Sequence, residues 1–415
     1  MVKRILSYIA LFGICAVSAA QTAADSGLFL DAAEAYAAGD YALAKSKFAT
    51  LLEACPEDDA VSYYLGMSEY ALGNYSAAAE NISAAAQLDS ANAWYLHSLV
   101  SVYSSQQDSY RAGKTCEKLL KMKPGLYNTP YTQTLIGDSY LMERRDSAAV
   151  AHYTQALEMD PGYVPAVFGR MEAYRTAGNY PDFFVDLGRL ISDREVRSSV
   201  KGDYLDDIVK KMDSRFYWVY GTLLEEKIDT CLAIHPDDLK VRELKIAMIS
   251  IRQDWDSLIA ESEKLVELAR AQGNDEKLAL AYYYIGDVNY QLGNEKKAFK
   301  AYERALKAKP DYPVVLNNYA YYLSLKKKSL RKALAMSQKA VELEPDNATY
   351  LDTCGWILYL LKRPAEAKPH FKRAMIFGGK DSAVVLEHYS KVLEALGEND
   401  LASYYHSLSV QKGGQ

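Results

Sequence analysis

Residues 278–312 read LALAYYYIGDVNYQLGNEKKAFKAYERALKAKPDY, two runs of helix-forming residues around a Gly-Asn step. Alanine, leucine, lysine and glutamate favour helix in both runs, and no long run of Val, Ile and Thr suggests a strand. Gly293 suits the left-handed end of the first helix, and Asn294 offers a capping side chain to the second. Pro310 cannot continue the second helix and stops it. Gly286 leaves room for the second helix to approach the first, and Tyr302 supplies a ring that fills space toward whatever follows. One such pair cannot bury its apolar face alone, so neighbours are required.

The neighbours are in the sequence. The same frame fits residues 59–92, with Gly66, Tyr70, Gly73, Ala78 and Ala85, and residues 130–163, with Gly137, Tyr140, Ala149, Tyr153, Ala156 and Pro161. The second-helix alanine recurs at Ala44, Ala78, Ala112 and Ala149 and again at Ala298, Ala333 and Ala367, a period of about 34 residues. Clear copies begin near residues 25, 59, 93, 130, 164, 279, 313 and 348, and looser ones near 205, 239 and 383. This tandem pattern resembles the tetratricopeptide repeat family in its exported bacterial form. The resemblance implies an all-α, right-handed superhelical solenoid of antiparallel helix pairs.

The expected organisation is a leader over residues 1–20, a first repeat array over 21–195, degenerate helical repeats over 196–276, and a second array with its cap over 277–415. The leader reads as a secretory signal peptide: Lys3 and Arg4, an apolar run from Ile5 to Val17, then Ser18, Ala19 and Ala20. Cys15 raises the alternative of a lipid anchor, but Ile14 before it is larger than lipidation wants, which favours the cleaved form. No later stretch approaches the ~20 apolar residues that span a bilayer. The mature chain is expected to be exported, periplasmic or associated with the cell envelope, with no transmembrane segment.

Charge is uneven along the chain. Residues 21–276 hold 25 Lys and Arg against 40 Asp and Glu, whereas residues 277–415 hold 21 against 14. So acidic a chain argues against nucleic acid, and its basic last third suggests surfaces with different partners. The sequence holds no HExxH, GxSxG, P-loop or GxGxxG arrangement, and its six histidines are dispersed. No catalytic residue, metal site or cofactor is expected, and the protein is not expected to be an enzyme. Cys55, Cys116, Cys231 and Cys354 lie far apart, without metal-ligand spacing, and read as single buried residues. Cys354 opens CGWILYLLKRP, whose apolar run is too short for a membrane; Gly355 reads as a close-packing point and Trp356 as a groove residue. Pro369 should delay or kink the helix that follows. The aromatic run from Phe216 to Tyr220 is expected to pack an irregular joint.

What remains is surface for binding. In the family this chain resembles, first-helix side chains line a concave groove that holds segments of other proteins. The positions this implies here are Tyr63, Met67, Tyr70, Tyr131 and Asp138, then Tyr283, Asp287, Tyr290, Asn317, Tyr321 and Trp356. The family's grip on peptide carboxyl termini uses basic and amide side chains, and Tyr283, Asp287, Asp352 and Trp356 stand where several of those belong. Ring stacking and apolar burial are therefore expected instead. The expected role is a non-catalytic scaffold of the bacterial cell envelope that binds a protein partner in the groove. The alternatives are a carbohydrate- or peptidoglycan-associated binding protein, or an accessory subunit of an envelope assembly or secretion complex.

Overall fold

The computed structural model describes residues 21–413, so the expected leader with Cys15 lies outside the described residues. Every regular element among them is helical. The chain divides into two compact units, one ending at Asp193 and the other starting at Arg194.

The N-terminal unit is five helix pairs: Gln21–Ala37 with Tyr41–Ala54, Asp59–Ala71 with Tyr75–Leu88, Ala93–Ser105 with Ser109–Met122, Pro130–Met142 with Asp146–Met159, and Val164–Thr176 with Tyr180–Ser192. A short turn of helix, Pro124–Tyr127, precedes the fourth pair and takes up the extra residues that stretch the alanine spacing between Ala112 and Ala149. The C-terminal unit starts with Ser198–Lys211 and the long Ser214–Ile234. Five pairs follow, beginning with Leu239–Arg252 and Trp255–Ala271 and ending with Ala383–Ala395 and Asn399–Gln411. The degenerate stretch is therefore helical, and two of its helices are long, 21 residues in Ser214–Ile234 and 17 in Trp255–Ala271, while Ser198–Lys211 and Leu239–Arg252 have 14 each.

The packing logic read from the glycines holds. A Cβ on Gly286 would lie 2.7 Å from the Tyr302 ring, one on Gly355 would lie 2.6 Å from Phe371, and one on Gly66 would lie 2.6 Å from Ile82. Tyr302, Phe371, Tyr153 and Phe48 are wholly buried, each on a second helix. Hydrogen bonds between residues 35 or 36 apart join equivalent positions of successive first helices. Tyr70 Oη lies 3.1 Å from Ser105 Oγ, and Tyr322 Oη donates to Asp287 at 3.2 Å. The sequence period has become a spatial contact.

Three local expectations need correction. The turn glycines Gly39, Gly73, Gly178 and Gly293 do adopt positive φ. Of the residues after them, only Asp40 caps its helix, accepting from the Leu43 amide, while Asn74, Asn179 and Asn294 make no side-chain cap. Asn74 instead donates its side-chain N–H to Glu69, and Asn179 to Asp182, each at 2.7 Å, and in that orientation Oδ1 accepts from no helix amide. Pro369 does not delay its helix, which starts at Pro364 and runs to Ile376. Burial of Ala367, Phe371 and Ala374 along one face holds that helix through the missing hydrogen bond. In the aromatic run, Trp218 is 84% exposed and Val219 is also exposed, since both fall on the outward side of the long Ser214–Ile234 helix.

Candidate functional site

The positions singled out on the first helices separate into three groups. Tyr63 and Asn317 are buried. Trp94 Nε1 donates to the Tyr63 hydroxyl at 2.6 Å, and Ser98 Oγ lies 3.1 Å from it, so Tyr63 ties two first helices together. Asn317 donates to Asn318 Oδ1 at 3.2 Å, while its own Oδ1 has no hydrogen-bond partner among the described residues.

Asp138 and Asp287 form the second group and do one job. Each follows a first-helix glycine that makes room for a second-helix tyrosine, and each receives that tyrosine's hydroxyl. Tyr153 donates to Asp138 at 2.7 Å, and Tyr302 to Asp287 at 3.3 Å. Burial pushes the Asp138 carboxyl above the usual carboxylate range, against the hydrogen bond from Tyr153. Burial likewise raises the Tyr302 hydroxyl far above the usual tyrosine range, reinforced by Asp287. These aspartates anchor rings and keep little capacity for a ligand.

The third group presents ring surface. In the N-terminal unit Tyr131 is 46% exposed, its hydroxyl 3.0 Å from Ser104 Oγ, and Met67 and Tyr70 are half-buried. In the C-terminal unit Tyr283, Tyr290, Tyr321 and Trp356 are all half-buried. Tyr290 stacks on Tyr322 with centroids 3.5 Å apart, and burial raises the Tyr321 hydroxyl above the usual tyrosine range, reinforced by Asp352 and Tyr290. Trp356 stacks on His388 at 4.0 Å with the rings nearly parallel, and on Tyr359 at 5.1 Å. Four successive first helices, from Asp275–Gln291 to Ala383–Ala395, thus contribute rings or polar tips to one run.

Two participants went unrecognised in the sequence. His388 Nδ1 lies 2.9 and 3.2 Å from the two Asp352 oxygens, a buried pair beneath Trp356, and the ammonium of Lys391 lies 5.9 Å from the Trp356 ring. Asp352 and His388 are 36 residues apart, one repeat, and that offset was the available signal. Tyr322 was missed because it neighbours the selected Tyr321 and faces the adjacent first helix.

Cys354 Sγ lies 3.9 Å from His370 Nε2, but burial raises the thiol and lowers the imidazole, the opposite of an activated thiolate pair. Cys354 is fully buried, as its place in the repeat requires, and Cys116 and Cys231 are buried too, whereas Cys55 is half-exposed. No group of three His, Cys, Asp or Glu side chains among the described residues could hold a metal ion. No described helix is long and apolar enough to cross a membrane.

Two stretches match family models described as Tetratricopeptide repeat, residues 29–93 and residues 243–410, together more than half of the chain. One curated relative is the Type IV pilus assembly protein PilF of Pseudomonas aeruginosa PAO1, 28% identical over 144 residues. That match covers 34% of this chain and 54% of the relative, about half the relative's length. Among solved structures, YrrB, described as a TPR protein with an unusual peptide-binding site, is 20% identical, with a TM-score of 0.37 over 45% of this chain and 97% of its own. MamA MSR-1 C2 is 18% identical, with a TM-score of 0.34 over 42% of this chain and 96% of its own.

Proposed function

The chain belongs to the tetratricopeptide repeat family, and on that premise we propose that it is a non-catalytic interaction scaffold of the bacterial cell envelope. Its C-terminal unit holds a segment of a partner protein against the first-helix face. The observation that carries this reading is the run of Tyr283, Tyr290, Tyr321 and Trp356 over successive first helices, all half-buried, with Tyr290 and Trp356 already stacked on neighbouring rings. Rings fixed in place by stacking lose little entropy when a partner covers them and offer large apolar area with a polar edge. The envelope setting is supported by the leader-like residues 1–20 and by the similarity to a pilus assembly protein.

The experiment is co-purification of the full exported chain from envelope extracts, with Tyr290→Ala and Tyr321→Ala variants alongside. The reading requires one envelope protein in stoichiometric amount, lost from both variants. Recovery of glycan fragments alone, or of a protein that both variants retain, overturns it.

A further inference from the structure

Three grooves in the molecule share one position, between successive second helices and above the first helix that separates them. One, of 450 Å³, lies over Val164–Thr176; another, of 270 Å³, over Leu239–Arg252; the third, of 470 Å³, over Asp275–Gln291. In the first two, charge is neutralised from within. Arg170 forms a two-pronged pair with Asp186 at 2.7 Å, joined by Arg189 at 3.1 Å. Lys245 meets Asp229 at 2.8 Å, and Arg252 meets Glu225 at 3.0 Å.

The third groove differs. Arg270, Lys297, Lys300 and Arg304 line it, all exposed, and among the described residues none lies within ion-pair distance of a carboxylate. Two of the four are held by a neutral ring instead: Arg270 donates to the Tyr282 hydroxyl at 2.8 Å, and the Arg304 guanidinium lies 5.6 Å from the Tyr282 ring centre. Glu263 and Glu267, on the same helix as Arg270 and facing Lys297, Lys300 and Arg304 across the groove, leave an excess of positive charge. The floor is apolar, with Ile259, Val266 and Ile285 packed into the core of the unit. Tyr282, Ile285 and Asn289 belong to a different side of their helix from Tyr283, Asp287 and Tyr290, by the 3.6-residue period. This groove is therefore separate from the ring-lined face.

We propose that this groove is a second binding surface, taking an acidic peptide segment that presents carboxylates around an apolar side chain. Lys297, Lys300 and Arg304 lie at i, i+3 and i+7 of one helix, about 10 Å from end to end. A single phosphate cannot bridge that span, but carboxylates along an extended segment, at about 3.3 Å per residue, match it within a few residues. The apolar floor is recessed between helices, where an inserted side chain reaches and a flat bilayer surface does not. Four like charges held together also repel one another, and an acidic ligand relieves that repulsion.

The test uses the full chain and a short fluorescein-labelled peptide alternating glutamate with leucine, followed by fluorescence anisotropy. The expected result is saturable binding that weakens with added salt and falls about tenfold or more in Lys297→Glu/Lys300→Glu. Tyr290→Ala, on the other face, should bind unchanged, which separates this surface from the proposed partner groove. Both lysines are exposed, and the milder Lys297→Gln/Lys300→Gln should give an intermediate loss. The proposal is overturned by absent binding, by equal binding of the charge-reversed variant or of a lysine-leucine peptide, or by vesicles of anionic phospholipid binding where the peptide does not.

Discussion

Tyr153 is the most confined ring in the N-terminal unit, and it supports a quantitative prediction. It is wholly buried on the Asp146–Met159 helix between two first-helix glycines. A Cβ on Gly137 would lie 2.6, 2.8 and 2.9 Å from three of its ring atoms, and one on Gly169 would meet the ring more closely still, with the hydroxyl 2.9 Å away. Carbon atoms pack at roughly 3.5–4.0 Å, so either alanine asks the ring to retreat by about 1 Å. Retreat from one glycine drives the ring at the other, and its hydroxyl is tied to Asp138 at 2.7 Å. Overpacking costs about 1–3 kcal/mol, and contacts this close to a ring fall in the upper part, about 2–3; alanine returns about 1 kcal/mol of helix preference, leaving a net loss near 1–2 kcal/mol for Gly137→Ala or Gly169→Ala. Gly27, in a helix of the same unit with nothing within 4 Å of its would-be Cβ, is the control: alanine there should stabilise by up to about 1 kcal/mol. The double variant should lose more than the sum of the singles, since the two clashes compete for one ring. Repeat arrays do not unfold in a single step, so the assay is native-state hydrogen exchange on the amides of Pro130–Met142, Val164–Thr176 and, for the control, Gln21–Ala37. Unchanged or increased protection in Gly137→Ala, or strictly additive losses in the double variant, would refute the ring-clamp reasoning.

Three further outcomes are expected. Gln107 holds a left-handed turn that glycine fills elsewhere, with φ of 59°, so Gln107→Gly should stabilise its pair by roughly 0.5–1 kcal/mol, read by the same exchange experiment. Burial raises the Asp138 carboxyl, so the folded state binds a proton more tightly than the unfolded one, and stability falls as pH rises from the ordinary carboxylate pKa through the raised one. Asp138→Asn keeps an acceptor for Tyr153 and should remove that fall, giving a flatter pH profile in denaturant titrations and greater stability at neutral pH. Asp186→Ala strands Arg170, whose side chain is only 9% exposed, and should cost about 3–5 kcal/mol in exchange on Tyr180–Ser192, with Asp186→Asn costing less.

The fold was legible because its signals repeat. The alanine period, the small residue beneath each ring and the turn glycines each state the same helix pair several times over, and Gly66, Gly286 and Gly355 pack as the pattern requires. Turns such as those at Gln107, Arg144 and Lys362 lack the glycine signal, because an ordinary residue takes the left-handed conformation at a modest cost that stacking absorbs. The site was legible only in part. Position within the repeat identified the rings, but it could not separate Tyr63, spent on Trp94 and Ser98, from Tyr131, whose ring is open. Nor could it assign Asp138 and Asp287, although the Gly-Asp step followed 15 residues later by tyrosine marks both. Trp218 illustrates the limit in the middle region: without the repeat frame, composition gives no facing, and the ring placed in a joint by sequence stands in solvent.

The central claim, that the ring-lined first-helix face of the C-terminal unit holds a partner protein, is tested most directly by site-specific photocrosslinking in envelope preparations. A photoreactive phenylalanine replaces Tyr290, Tyr321 or, as an outer-face control, the exposed Lys307 of a second helix. The account predicts one protein adduct of the same mass from positions 290 and 321 and none of that mass from position 307. Adducts to that protein from position 307 alone, or no protein adduct at either ring position, would contradict it.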